Sequence, residues 1–173
     1  MTIDSKTEDL YQRVTTLVKE MMPSDLAETN HQDSGTFSNF SSHYFYALSQ
    51  AVEKAANQVG VPVSMSVVNL AGHHLFHYKM EDALLVSIGL AKKKAYTTVA
   101  MKMPTHELAK LVLPGAPLYQ LETGADGELV TFGGGLPILN EAGQIIGGLG
   151  ISGATVCQDI AIGKEALLNV KMR

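Results

Sequence analysis

Two glycine clusters dominate the C-terminal third of the chain. FGGGLPI, residues 132–138, and IGGLGISG, residues 146–153, lie on either side of the turn-forming NEAG at 140–143. Strands joined by so short a turn form a hairpin, so the clusters are expected on adjacent strands, facing each other. Glycine weakens a strand and is found there where a bulge, a positive φ or a close backbone approach is required. The pair therefore predicts a thin surface without side chains, with Gly133, Gly134, Gly148 and Gly150 at its centre. Such a surface has two uses. It is either a bulged hairpin packed under the C-terminal helix, or a floor on which a flat ligand or a second subunit rests against the backbone.

Gly148, Gly150 and Gly153 also match G-x-G-x-x-G, the fingerprint of a loop that cradles a dinucleotide pyrophosphate. That mechanism needs a second parallel strand and a ribose-binding acid beyond the loop. The stretch after Gly153, residues 154–173, is used by a helix, TVCQDIAIGKEALLNV, and a short tail. No dinucleotide is expected.

With 173 residues, 46% hydrophobic and 17% charged, the chain can bury one full core. Residues 5–22 place Leu10, Val14, Leu17, Val18 and Met21 on one helical face ahead of Pro23, and the Ser-, Asp- and Asn-rich residues that follow read as a linker. The expected organisation is residues 1–39 as helix and linker and residues 40–173 as the folded domain. Within the domain, helical patterning over 42–60 stops at Gly60. VPVSMSVVNLAGHHLFHYKM alternates about a turn at Asn69 and Gly72, and ALLVSIGLAKKKAYTTVAMKM is helical up to Pro104. A short helix then starts with Thr105 as N-cap. Hairpins with helices at each end and in the middle describe an α+β domain with an antiparallel sheet.

A net charge of -4 with 13 Lys and Arg leaves no basic footprint for nucleic acid, and the run Lys92–Lys93–Lys94 reads as a solvated helix face. Cys157 is the single cysteine, which excludes a disulfide within the chain and any CxxC site. No secretory signal pattern and no membrane-length apolar run is present, and the expected location is the cytoplasm.

The histidines are the chemistry-bearing residues. His73, His74 and His77 fall within five positions on the first hairpin, with Met80 beyond. Strict alternation sends His73 and His77 to one face, roughly 13 Å apart, and His74 to the other. That separation excludes a mononuclear metal site built from the cluster alone. One imidazole as an axial ligand to haem iron needs no such partner, with Met80 or a second subunit's histidine on the other side, and solvent-exposed histidines without a ligand are the alternative. Cys157 at the start of the last helix has no histidine in its segment and reads as an incidental thiol. Asp159 reads as a cap or a fixed polar contact, not a general base.

From Val61 to Leu168 the chain resembles the GlcG/HbpS family, and within it the C-terminal domain of PduO-type corrinoid adenosyltransferases. The resemblance is carried in order by VPVSMSVVNLAGHHL, M-x-x-A-L-L-x-S-I running into AKKKAYTT, MKMPTHELA, PGAPLYQLE, VTFGGGLPI, GQIIGGLGISGAT and QDIAI. It implies a profilin-like α+β fold, a homo-oligomer and haem as the bound cofactor. It does not imply adenosyltransferase activity, which resides in a separate N-terminal domain of such proteins. This chain departs from the family in having Asn69 where relatives carry Asp, and Cys157 where they carry an acid.

Two functions remain open at this level. One is a haem or tetrapyrrole module in which His73, His74, His77 or His43 ligates iron, serving a diol or glycolate catabolic pathway. The other is a small-molecule enzyme acting in a glycine-lined cleft, with a ligand-free oligomeric scaffold as a third reading. The amphipathic helix at 5–22 is expected either to address the protein to a bacterial microcompartment shell or to cover an apolar patch.

Overall fold

The computed structural model describes residues 40–170, so the expected helix at 5–22 and its linker lie outside the described residues. The order of elements is α1 (Ser42–Gln58), β1 (Ser64–Asn69), β2 (His74–Lys79), α2 (Leu85–Met101), α3 (Thr105–Leu111), a single turn α4 (Leu121–Gly124), β3 (Gly135–Leu139), β4 (Ile145–Ser152) and α5 (Val156–Asn169). The strands form one antiparallel sheet in the order β2-β1-β4-β3.

Local chemistry sets the ends of these elements. Ser41 Oγ accepts the Tyr44 amide to cap α1, and Gly60, at φ +67°, follows its C-terminus. Thr155 caps α5 through a reciprocal pair with Gln158. In the first hairpin, Asn69 Oδ1 accepts the Ala71 and His73 amides, and Gly72 takes φ +78°. Thr105 does not serve as the expected N-cap: Pro104 holds that position, and Thr105 Oγ1 accepts the Gly135 amide at 2.9 Å instead. The second hairpin is also shorter than expected, because Val130–Gly134 precede the strand that begins at Gly135.

The two sheet faces are unlike. On one, Met65, Val67, Leu149, Ile151 and Ile138 pack with Leu48 and Val52 of α1 and Ile162 of α5 to form the main apolar core. Phe40, Phe45 and Phe76 extend it as a run of stacked rings. On the other, β1 presents Ser64 and Ser66, and β3 and β4 present Gly135, Gly148 and Gly150. Only a helix with an equally small surface fits there, and α2 supplies Ser87, Ala91 and Ala95, all buried.

That packing explains the glycine clusters. A Cβ built on Gly150 would enter the carbonyl oxygen of Ala91 and lie 2.7 Å from the Ala95 nitrogen. One on Gly148 would meet the Ala95 carbonyl and lie 3.0 Å from Val99 Cγ2. Gly133 abuts Ile160 and Val156 of α5, and Gly134, at φ +117°, faces the Ile151 carbonyl. The surface without side chains is a bed for the protein's own helices. Gly133, Gly134, Gly148 and Gly150 are thereby corrected from ligand-floor positions to packing positions, and the helix that fills most of the floor is α2, not the C-terminal one.

The same packing overturns the reading of the lysine run as solvated. Lys94 is 1% exposed. Its ammonium donates to Asp159 Oδ2 at 2.7 Å and to the Ile151 carbonyl at 2.9 Å, beneath the Phe132 ring. Burial pulls the Lys94 ammonium below and pushes the Asp159 carboxyl above their ordinary ranges, while each charge opposes the shift in the other. Asp159 Oδ1 also accepts the Ala154 amide, so this residue is the fixed polar contact expected of it.

Candidate functional site

With the glycine face closed, the first hairpin carries the remaining chemistry. The β1–β2 register runs Ser66 to His77 and Val67 to Phe76, then shifts so that Val68 faces His74. Leu75 is therefore the extra residue of a β-bulge. It corrects the expected alternation: His74 and His77 share the face that carries Ser66 and Val68, as near neighbours with ring centroids 6.0 Å apart. His73 lies in the turn, exposed, outside the strand.

His77 is the constrained member of the pair. Its Nδ1 is 2.7 Å from Ser66 Oγ, while its Nε2 is buried without a hydrogen-bond partner. His106 Nδ1, on α3, is the other such histidine nitrogen among the described residues. Those residues contain no group of three or more His, Cys, Asp or Glu side chains placed to hold a metal ion.

Burial lowers the pKa of both His74 and His77, and for His74 the nearby Lys92 charge adds to the effect, a direction that favours the neutral form that ligates metals.

The helix facing this pair is α2. A Cβ on Gly72 would lie 3.0 Å from the Tyr96 ring, which fixes the C-terminal half of α2 beside the hairpin turn. Helical spacing then puts Lys92 and Ile88 on the same stripe as Tyr96. Ile88 and Tyr96 are each 39% exposed, and Lys92 is exposed between them. The Lys92 charge acts on His74, so this exposed stripe of α2, one cation between two apolar side chains, lies on the same side of the sheet as the histidine pair.

The other residues expected at the site lie elsewhere. His43 is exposed in the first turn of α1, which packs on the opposite sheet face. Met80 Sδ accepts the Val63 amide at 3.4 Å and packs at the edge of the main core, so it does not complete a ligand pair with His77. Cys157 is exposed at the start of α5, as an incidental thiol would be. An apolar groove of about 710 Å³ between β3 and α5, lined by Leu136, Ile138, Leu139 and Leu168 among others, holds no histidine.

Sequence reasoning passed over Ser66, Lys92 and Tyr96. Ser66 carried no signal, because its role depends on the cross-strand register. Tyr96 and Lys92 were legible as a stripe of α2, but nothing in the spacing said which element that stripe would face. Lys94 did leave a trace, since it falls on the Ala91, Ala95, Thr98 stripe that enters the core.

Residues 40–168 match the family model described as haem degrading protein HbpS-like. The chain is 41% identical over 170 residues to the corrinoid adenosyltransferase PduO of Salmonella typhimurium, covering 97% of this chain and 50% of that protein. It thus spans half the length of that relative. It is 42% identical over 120 residues to an uncharacterized 15.0 kDa protein of Citrobacter freundii, from the dhaT-dhaS intergenic region, covering 69% of this chain and 84% of the other. Its fold superposes on the crystal structure of a PduOC:heme complex with a TM-score of 0.73 at 46% identity, covering 78% of this chain and 96% of that one.

Proposed function

The chain belongs to the HbpS-like family, and on that premise we propose that it binds haem through an imidazole of its first hairpin. We read it as a homo-oligomeric accessory protein of a catabolic pathway such as diol or glycolate use, without adenosyltransferase activity of its own. The observation that carries the proposal is the His74–His77 pair, ring centroids 6.0 Å apart on one face of the hairpin, with His77 Nδ1 against Ser66 Oγ and the Lys92 charge acting on His74.

These residues fit the group. An axial ligand needs one neutral ring nitrogen, and its orientation is normally fixed by a hydrogen bond to the other. His77 has that arrangement, with Nδ1 against Ser66 Oγ and Nε2 buried without a partner, so the side chains that cover Nε2 must part for iron to reach it. His74 stands beside it on the same face. Bound haem would supply an iron centre for one-electron or oxygen chemistry. The protein's part is to hold the imidazole in one tautomer and to keep it neutral near pH 7.

A haemin titration tests this. His77→Ala should shift the Soret band and weaken binding about tenfold or more, His74→Ala should weaken it less, and His73→Ala and His43→Ala should match the parent. Four variants with the parent band and affinity would place the ligand elsewhere.

The helix expected at residues 5–22 supports a further part of the same reading. A short amphipathic helix is marginal by itself in water and needs a surface, and a microcompartment shell is one such surface.

A further inference from the structure

The three consecutive lysines of α2 have three different surroundings. Lys94 is buried against Asp159, and Lys93 donates to the Gly127 carbonyl at 2.8 Å. Lys92 makes no hydrogen bond or ion pair with the described residues, although it lies midway along the exposed α2 stripe between Ile88 and Tyr96. An exposed lysine is ordinarily solvated, and its position here is what matters. One helical turn separates it from Tyr96, whose ring is held against the hairpin at Gly72, and one turn separates it from Ile88 on the other side. The Lys92 charge acts on His74, so a flat ligand lying along this stripe with its centre over the histidines would turn its rim toward the Lys92 ammonium.

We propose that Lys92 is the counter-ion for a carboxylate on the ligand, and that the Ile88–Lys92–Tyr96 stripe selects tetrapyrroles with free carboxylates over those whose rim is uncharged. The inference rests on the haem reading and deepens it. The two apolar neighbours make the selection effective. Once a ring covers Ile88 and Tyr96, water is thinned around the ammonium, and an ion pair there is worth more than one at an open surface. The same neighbours contribute affinity to any flat apolar ligand, so charge is what Lys92 adds.

The full chain is titrated with haemin and with haemin dimethyl ester, in which both carboxylates are masked, using the parent, Lys92→Gln and Lys92→Arg. Lys92→Gln should weaken haemin about threefold to tenfold with the Soret position unchanged, and Lys92→Arg should restore the affinity. Ester affinity should be the same in all three proteins. If Lys92→Gln binds haemin as the parent does, or loses haemin and ester equally, the counter-ion role is wrong while the haem reading stands. A parent that gives no Soret change with either compound overturns both.

Discussion

Replacing Gly150 by Ala tests the packing of α2 on the glycine face most directly. The added methyl would occupy the Ala91 carbonyl oxygen and come within 2.7 Å of the Ala95 nitrogen. Both are backbone atoms of one helix, so no side chain can rotate away. Ordinary contact requires roughly 3.5 Å or more, so α2 must retreat by roughly 1.5 Å. Overpacking of this kind costs about 1–3 kcal/mol. The retreat also stretches the buried Lys94–Asp159 pair from 2.7 Å, and loss of such a pair costs about 3–5 kcal/mol. With the pair weakened rather than lost, a total of about 4 kcal/mol lowers Tm by about 8–16 °C in a protein of this size. Gly89→Ala on the same helix is the control. Gly89 has open space around it and no positive φ, so alanine should stabilise by about 0.5–1 kcal/mol. Urea denaturation of both variants reads the difference. A Gly150→Ala protein within about 1 kcal/mol of the parent would refute the close-approach account.

Removing one partner of the buried ion pair, as in Lys94→Met, should cost about 3–5 kcal/mol by urea denaturation, because Asp159 is left charged in the interior. The double variant Lys94→Met/Asp159→Leu should be less costly than that single one, and a simple sum of the two single effects would count against a coupled pair. The histidine pair predicts a dependence on pH. Both folded pKa values lie below the ordinary value of about 6.5, so the unfolded chain takes up protons first as pH falls. The stability they contribute is present above about pH 6.5 and is lost as pH drops through the lowered folded values; His74→Gln/His77→Gln should flatten the fall in Tm between pH 7 and pH 5. For the N-terminal segment, a fluorescent reporter carrying residues 1–24 should collect at shells in cells that make them. Diffuse fluorescence, with loss of oligomer stability on deleting those residues, would leave the helix as packing.

The fold was largely legible because hydrophobic period and turn chemistry agreed. Gly60, the Asn69–Gly72 turn, the Thr155 cap and the hairpin about NEAG all stand where local rules put them. The readings that failed are those that depend on contacts distant in sequence. Thr105 was read as a cap, but its hydroxyl is claimed by Gly135, thirty positions away. The lysine run was read as solvated because Asp159 lies sixty-five positions from Lys94. The histidine facing was missed through one extra residue, since a bulge at Leu75 has no local signature yet reverses which side chains are neighbours. The glycines announced close approach but not what approaches.

The open sheet has two margins, and they differ. Ile151 donates its amide to the Gly134 carbonyl, so by alternation Leu149 and Gly147 also turn their polar groups toward β3, whereas Gly148 turns away. Pro137, opposite Gly148, therefore directs a nitrogen without hydrogen outward. The outer rim of β3 lacks a donor where an added strand would need one, while β2 has no proline to interrupt it. Pro137 thus makes β3 the poorer margin for strand addition and leaves β2 the better one. One imino acid makes the two margins unequal, and a sheet that cannot extend evenly on both sides is a poorer template for end-to-end stacking.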